Sequence, residues 1–316
     1  MIQEFNYCWD ESHWFAIQAA RIAKRPLLVR GEPGVGKSSL AVAAAQRLER
    51  NYISETVTAR TEPNDLLWQF DGIQRLRDAQ VAGRIDKECL DKRAYVAPGV
   101  LWWAYQPEKA KEQYGICRGS CCPSLDVLET INNTSSLHAS TDHEVCCQSN
   151  TGWVVLIDEI DKADSDVPNS LLEALGENQF PVPYFEEWVT LQPGIEHPLI
   201  IITTNEDRQL PQAFLRRCFV LNMEVPKDRG EAVDWFIERA KVYDFFGLPE
   251  VVVNTIAEII YEDRQVYTGQ HRPGLSEFLD FARVLAGQSE SIDWDMNTLR
   301  SSFDFILRKN ARQQYV

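Results

Sequence analysis

Gly31-Glu32-Pro33-Gly34-Val35-Gly36-Lys37-Ser38 fits the pattern G-x-x-x-x-G-K-[ST] at every fixed position, and its surroundings decide the fold. Just upstream, Leu27-Leu28-Val29 is a short apolar run that reads as a buried strand. Just downstream, residues 38–48 are rich in Ala and Leu and read as a helix. Strand, glycine turn and helix in that order begin an α/β unit. The glycines let the backbone turn with its N–H groups inward, where they can cradle phosphate oxygens. A helix starting near Lys37 adds the positive end of its dipole. Lys37 is a point charge of the right reach for β- and γ-phosphates, and the Ser38 hydroxyl, with Ser39 beside it, is a hard oxygen that can ligate Mg²⁺.

Working outward, Val154-Val155-Leu156-Ile157-Asp158-Glu159 supplies the second half of such a site. A buried strand carries the apolar residues into a sheet and delivers two carboxylates at its carboxyl end, where open α/β sheets bind ligands. Asp158 can hold Mg²⁺ through water. Glu159 can orient and polarise an attacking water. Further strands are expected at 52–58, 199–204 and 220–223. Residues 180–191 alternate and contain Pro181 and Pro183, which suggests an irregular hairpin. The stretch 66–110 reads as mostly helical, interrupted at Pro98-Gly99.

After Pro226 the strands stop. Residues 229–245, 249–262, 275–286 and 296–312 carry apolar residues at helical spacing. The expected architecture is therefore α/β, a central parallel sheet flanked by helices, followed by an all-α domain. A boundary near 225–227 divides a nucleotide-binding domain, 1–225, from a helical lid domain, 226–316. No internal repeat is visible.

The 316 residues suffice for two domains, and the 44% apolar and 25% charged fractions are ordinary for a globular protein. No apolar run is long enough for a membrane span. The first ten residues carry acids rather than a basic segment and an apolar one, which argues against a secretory signal and for a reducing cytoplasm. A formal net charge of −15 repels phosphate backbones, so nucleic acid is not the expected partner.

Four elements in order give the chain a resemblance to the AAA+ ATPases, and within them to the MoxR-like group. They are the phosphate loop Gly31 to Ser38, Leu156-Ile157-Asp158-Glu159-Ile160-Asp161, Ile201-Ile202-Thr203-Thr204-Asn205, and Phe214-Leu215-Arg216-Arg217. Val96-Ala97-Pro98-Gly99-Val100-Leu101 resembles the loop that precedes the second acidic strand in MoxR proteins, and 180–191 lies where that family carries an inserted hairpin. The resemblance spans roughly 10–290 and leaves 115–152 unmatched.

The resemblance implies binding and hydrolysis of ATP with Mg²⁺, and assembly of subunits into a ring, in the family a hexamer. It implies that Asn205 touches the attacking water or the γ-phosphate, which suits an amide that donates and accepts without adding charge. It implies that Arg216 or Arg217 is an arginine finger reaching a neighbouring subunit's nucleotide, and leaves open which one. The family's lid arginine has no direct match. Gly274 occupies its slot, and Arg272, two residues earlier, either substitutes for it or is an ordinary loop arginine.

The polar stretch 115–152 carries Cys117, Cys121, Cys122, His138, His143, Cys146 and Cys147. Cys117, Cys121, His143 and Cys146 could hold zinc, although the spacing is not that of two C-x-x-C pairs. Thiols in a surface insertion are the plainer reading.

Three functions fit. A remodelling ATPase would push on a client protein with the 98–103 loop or the 180–191 hairpin, and Trp102, Trp103, Tyr184, Phe185 and Trp188 could grip that partner, although packing in the core explains most aromatics. By resemblance that partner could carry a von Willebrand factor A domain. A DNA-directed motor needs a basic stripe. A slowly hydrolysing switch would gate a larger defence or signalling assembly.

Overall fold

The computed structural model describes residues 7–81, 91–117, 152–186, 188–266 and 272–287. In chain order its elements begin with α1 (Glu11–Ala23), β1 (Leu27–Gly31), α2 (Lys37–Arg47), β2 (Asn51–Thr56), β3 (Trp68–Phe70) and α3 (Gly72–Val81). There follow β4 (Val96–Pro98), α4 (Val100–Tyr105), α5 (Pro107–Ile116), β5 (Trp153–Asp158), α6 (Asp166–Glu177), β6 (Gln179–Phe180), β7 (Val189–Thr190) and β8 (Leu199–Thr204). The last are α7 (Gln212–Leu215), β9 (Phe219–Met223), α8 (Arg229–Lys241), α9 (Glu250–Val266) and α10 (Leu275–Gly287). No described helix is long and apolar enough to cross a membrane.

The described residues fall into two compact units. One draws on Glu11–Arg30 and Ala41–Leu221, the other on 7–10, Gly31–Leu40 and 222–287. The first is built on a five-stranded sheet ordered β2-β5-β8-β1-β9. The β2–β5, β5–β8 and β8–β1 pairs are parallel. Strands of a parallel sheet are covered on both faces, so they read as unbroken apolar runs rather than alternations. β8, Leu-Ile-Ile-Ile-Thr-Thr, is buried along its whole length, and β5 is buried from Trp153 to Ile157. Register pairs Thr56 with Asp158, Ile157 with Ile202 and Arg30 with Thr204. The carboxyl ends of β2, β5, β8 and β1 therefore share one edge, and each feeds a loop there.

The sheet and the expected strands agree, but 66–110 is less helical than its composition suggests. Trp68–Phe70 pairs antiparallel with Val96–Pro98, in a two-stranded ladder whose strands are too short to show any periodicity. Gly99 ends the ladder because its Cα lies against the chain at Asp65 and Leu66. A Cβ there would stand 2.6 Å from the Asp65 carbonyl oxygen. The irregular hairpin is present in minimal form, with Phe180 paired to Val189 and Gln179 to Thr190.

Trp102 and Trp103 belong to the core and not to a gripping loop. They sit on α4, whose six residues are all buried, with Trp103 against Tyr114 and Trp102 edge-on to Phe185. Burying one large apolar side chain is worth about 1.5–3 kcal/mol, so core packing outweighs any use of these rings at a surface. Of the five aromatics named above, only Trp188 is exposed, at 49%.

The second unit is helical. Asp228 caps α8 by accepting from the Gly230 and Glu231 amides, as a short acid at an N-cap does. Phe236 of α8 and Phe278 of α10 pack with ring centroids 5.1 Å apart, and Ile256 and Ile260 of α9 are fully buried. The segment 229–245 is helical only to Lys241. Phe245 and Phe246 take φ of 51° and 55°, and Leu248 precedes a proline that disfavours helix. Arg239, 7% exposed, is neutralised by Asp10 at 2.8 Å and lies over the Trp235 ring. The helix expected at 296–312 lies outside the described residues.

Candidate functional site

In the first unit the two carboxylates leave β5 in different directions. Asp158 ends the strand, and Glu159 then takes φ 60°, ψ 45°, a left-handed conformation that costs a non-glycine residue energy and persists only where neighbours enforce it. Thr203 of β8 enforces it. Its hydroxyl accepts from the Glu159 amide at 2.9 Å and donates to Asp158 Oδ1. Thr203 is fully buried, so this bridge joins the ends of two central strands out of water.

The reversal at Glu159 aims its carboxylate toward β8. Asn205 Nδ2 donates to Glu159 Oε1 at 3.3 Å, while Lys162 Nζ donates to Oε2. That partner raises the pKa of Lys162 above its ordinary value. Asp161, 2% exposed, accepts from the Asp207 amide at 2.9 Å and so ties the turn after β5 to the turn after β8. Asp158, Glu159 and Asn205 thus lie together at the ends of β5 and β8. Thr203 and Lys162 join them without having been singled out.

In the second unit Gly31, Glu32, Pro33, Gly34, Val35 and Gly36 form a loop that ends at the first turn of α2. Gly34 has φ +78°, and a Cβ there would stand 2.6 Å from Ser276 Oγ. Gly31 has φ +156° and faces the Met223 carbonyl, 2.2 Å from where a Cβ would be. Lys37 is only 7% exposed and folds over its own loop, donating to the Gly31 and Glu32 carbonyls at 2.8 and 2.9 Å. Val35 is buried, and Ser38 and Ser39 are partly buried on the first turn of α2. A curled loop of this kind, with a lysine held across it and hydroxyls at the helix start, has the donor set that a Mg²⁺-bound triphosphate requires.

Arg216 and Arg217 are exposed at the end of α7, which the fully buried Phe214 anchors. Arg25 fixes this turn. Its Nε donates to the Arg217 carbonyl at 2.9 Å and its Nη2 to the Arg216 carbonyl, while its guanidinium lies 4.9 Å from the Phe219 ring centroid. Cations at a helix C-terminus satisfy the last carbonyls in this way.

Arg272 has an exposed side chain. Arg264 of α9 contacts the glycine loop, donating to Glu32 Oε2 at 2.7 Å. Of the zinc candidates, Cys117 is half-buried at the end of α5, whereas Cys121, His143 and Cys146 lie outside the described residues. Among the described residues no group of three or more His, Cys, Asp or Glu side chains could hold a metal ion. Burial pushes the Cys218 thiol up to about 11, so it stays protonated.

A family model described as an AAA domain of the dynein-related subfamily matches residues 26–218. No curated protein matches the chain. Among solved structures, the RuvB Holliday junction branch migration motor of Thermotoga maritima is similar at 13% identity with a TM-score of 0.43, covering 93% of this chain and 67% of that one. A point mutant of that RuvB gives 14% and 0.46, covering 93% and 68%. A Cytophaga hutchinsonii protein described as an ATPase gives 13% and 0.37, covering 88% and 73%. The family match takes in the glycine loop, the β5 carboxylates, Asn205 and the α7 arginines. On that match, which spans more than half of its length, the chain belongs to the dynein-related AAA domain family.

Proposed function

We propose that this protein is an ATP-hydrolysing AAA+ ATPase of MoxR-like type, active as one subunit of a hexameric ring. Bound ATP would lie in the loop Gly31 to Gly36, with Lys37 on the outer phosphates. Ser38 and Asp158 would hold Mg²⁺, which would draw electron density from the phosphate oxygens. The observation that carries this reading is the Thr203 bridge, which splays the adjacent carboxylates. One is left to serve the metal. The other, Glu159, sits between Asn205 and Lys162 where it can orient a water. Always-charged guanidiniums on an exposed turn suit charge stabilisation at a neighbour's nucleotide. Arg272 would serve as the lid cation, and residues 1–225 and 226–316 would act as nucleotide-binding and lid domains.

The output would be mechanical, remodelling or activating a client protein in the cytoplasm, with a von Willebrand factor A domain protein as the first candidate. Nucleotide binding and steady-state turnover of Lys37→Ala and Glu159→Gln test the ATPase reading. Lys37→Ala should lose ATP binding. Glu159→Gln should keep binding and lose turnover, and pull-down with that ATP-loaded trap should recover the client. Unchanged ATP affinity in Lys37→Ala would end the assignment.

A further inference from the structure

We infer that Arg264 is a second cation of the phosphate loop, held by Glu32 and shared with the outer phosphates of a bound nucleoside triphosphate; this rests on the ATP site proposed above. Glu32 is an awkward residue for such a loop, because its negative charge stands beside a nest that must attract a polyanion. Arg264 answers that charge. Its side chain is 10% exposed against 44% for Glu32, so the cation is the buried member of the pair. Its Nη1 donates to the Pro273 carbonyl at 2.6 Å and its Nη2 to Glu32 Oε2 at 2.7 Å.

The start of α10 is itself seated on the loop. Ser276 Oγ donates to the Gly34 carbonyl at 3.4 Å, and Leu275 Cδ2 would lie 3.9 Å from a Cβ on Gly36. The start of α10 is held in shape by Glu277, which accepts from the Gly274 amide at 2.9 Å. Arg264 is therefore delivered to the loop by a local structure rather than by a wandering side chain. A guanidinium offers five donors in a planar fork, more than one carboxylate oxygen and one carbonyl use, and it matches phosphate oxygens bidentately. When phosphate competes with Glu32 for this fork, the acid weakens nucleotide binding. Its charge then sets the affinity of the loop.

Equilibrium binding of ATP, ADP and AMP by the full chain in Mg²⁺, with Glu32→Gln, Arg264→Ala and the double variant, tests this. Arg264→Ala should weaken ATP binding about 10–100-fold and AMP binding much less, as loss of a charge-assisted contact would. Glu32→Gln should tighten ATP binding several-fold. The double variant should stay as weak as Arg264→Ala. Recovery of wild-type affinity in the double variant would overturn the inference, since Arg264 would then only neutralise Glu32. Unfolding midpoints and an Arg264→Lys variant guard against simple misfolding: lysine keeps the charge without the fork and should recover only part of the ATP affinity. Full recovery would remove the case for a bidentate contact. If the wild type itself fails to bind ATP, the underlying site has failed. If it binds and Lys37→Ala does not, while Arg264→Ala binds normally, only the present inference has.

Discussion

Lys162 and Asn205 hold opposite oxygens of the Glu159 carboxylate, one from the turn that follows β5 and the other from the end of β8. A carboxylate whose oxygens are already held by donors is a less available acceptor for water than a solvated one. Lys162 therefore acts as a restraint on Glu159. In Lys162→Ala, basal ATP turnover should rise a few-fold, while Glu159→Gln should lower it by about 10²–10⁴, the usual range for a positioned acid–base group. Steady-state phosphate release measures both. A Lys162→Ala protein as slow as Glu159→Gln would show that the lysine works with the carboxylate rather than against it.

Thr203 bears on the same carboxylate through the backbone. Its hydroxyl both supports the left-handed Glu159 and fixes Asp158. Thr203→Val keeps the shape but leaves the partly buried Glu159 amide and Asp158 oxygen without this partner. A cost of about 1–3 kcal/mol in unfolding free energy is expected. Thr203→Ser should restore the bond and most of the stability. Turnover should fall more in the valine variant than nucleotide affinity does, because the carboxylates are displaced and the glycine loop is not. Equal loss in the serine and valine variants would show that the methyl group, not the hydroxyl, matters.

The exposed arginines at the end of α7 make the proposed ring testable without a structure of it. Arg216→Ala/Arg217→Ala should cut turnover about 10³-fold, at the lower end of what an arginine finger contributes. Mixed with Lys37→Ala subunits, the inactive arginine double variant should regain activity, because each supplies what the other lacks. Absence of any recovery at concentrations where the two co-assemble would place both arginines on their own subunit's surface only.

What the sequence revealed and what it hid divide along a physical line. Gly31 to Ser38 is a local motif, so its loop could be read directly, and the apolar runs of β5 and β8 announce a sheet covered on both faces. Asp158 and Glu159 could be placed because a strand end needs no further information. Lys162 could not, because it reaches Glu159 only after that residue turns left-handed. Thr203 depends on the β5–β8 register, and Arg264 meets Glu32 across a sequence separation of 232 residues. β3 and β4 are three residues each and show no period, so nothing in their sequence separates the ladder from the helices around it. A six-residue helix buried on every side leaves no stripe to identify it, so the sequence alone does not assign Trp102 and Trp103 to the core.

His197 gives a pH dependence whose sign can be worked out. It lies half-buried just ahead of β8, with Nε2 2.7 Å from Asn178 Oδ1 and Nδ1 2.9 Å from the Pro198 carbonyl oxygen. Burial lowers its pKa below the usual 6.5, and the charges of Lys24 and Arg50 act in the same direction against the Pro198 bond. The unfolded chain therefore takes up a proton before the folded one does. Stability from this residue is present above pH 6.5 and is lost as pH falls from there through the lowered folded value. His197→Gln cannot titrate, so the difference in unfolding free energy between wild type and variant should shrink between pH 7.5 and 5. Denaturant unfolding of both proteins across that range measures it, and subtracting the two removes the titration of the many acids they share. A difference that grows on acidification would mean that His197 is stabilised as the cation by its two oxygen neighbours, and one that stays flat would mean that folding leaves its titration unchanged.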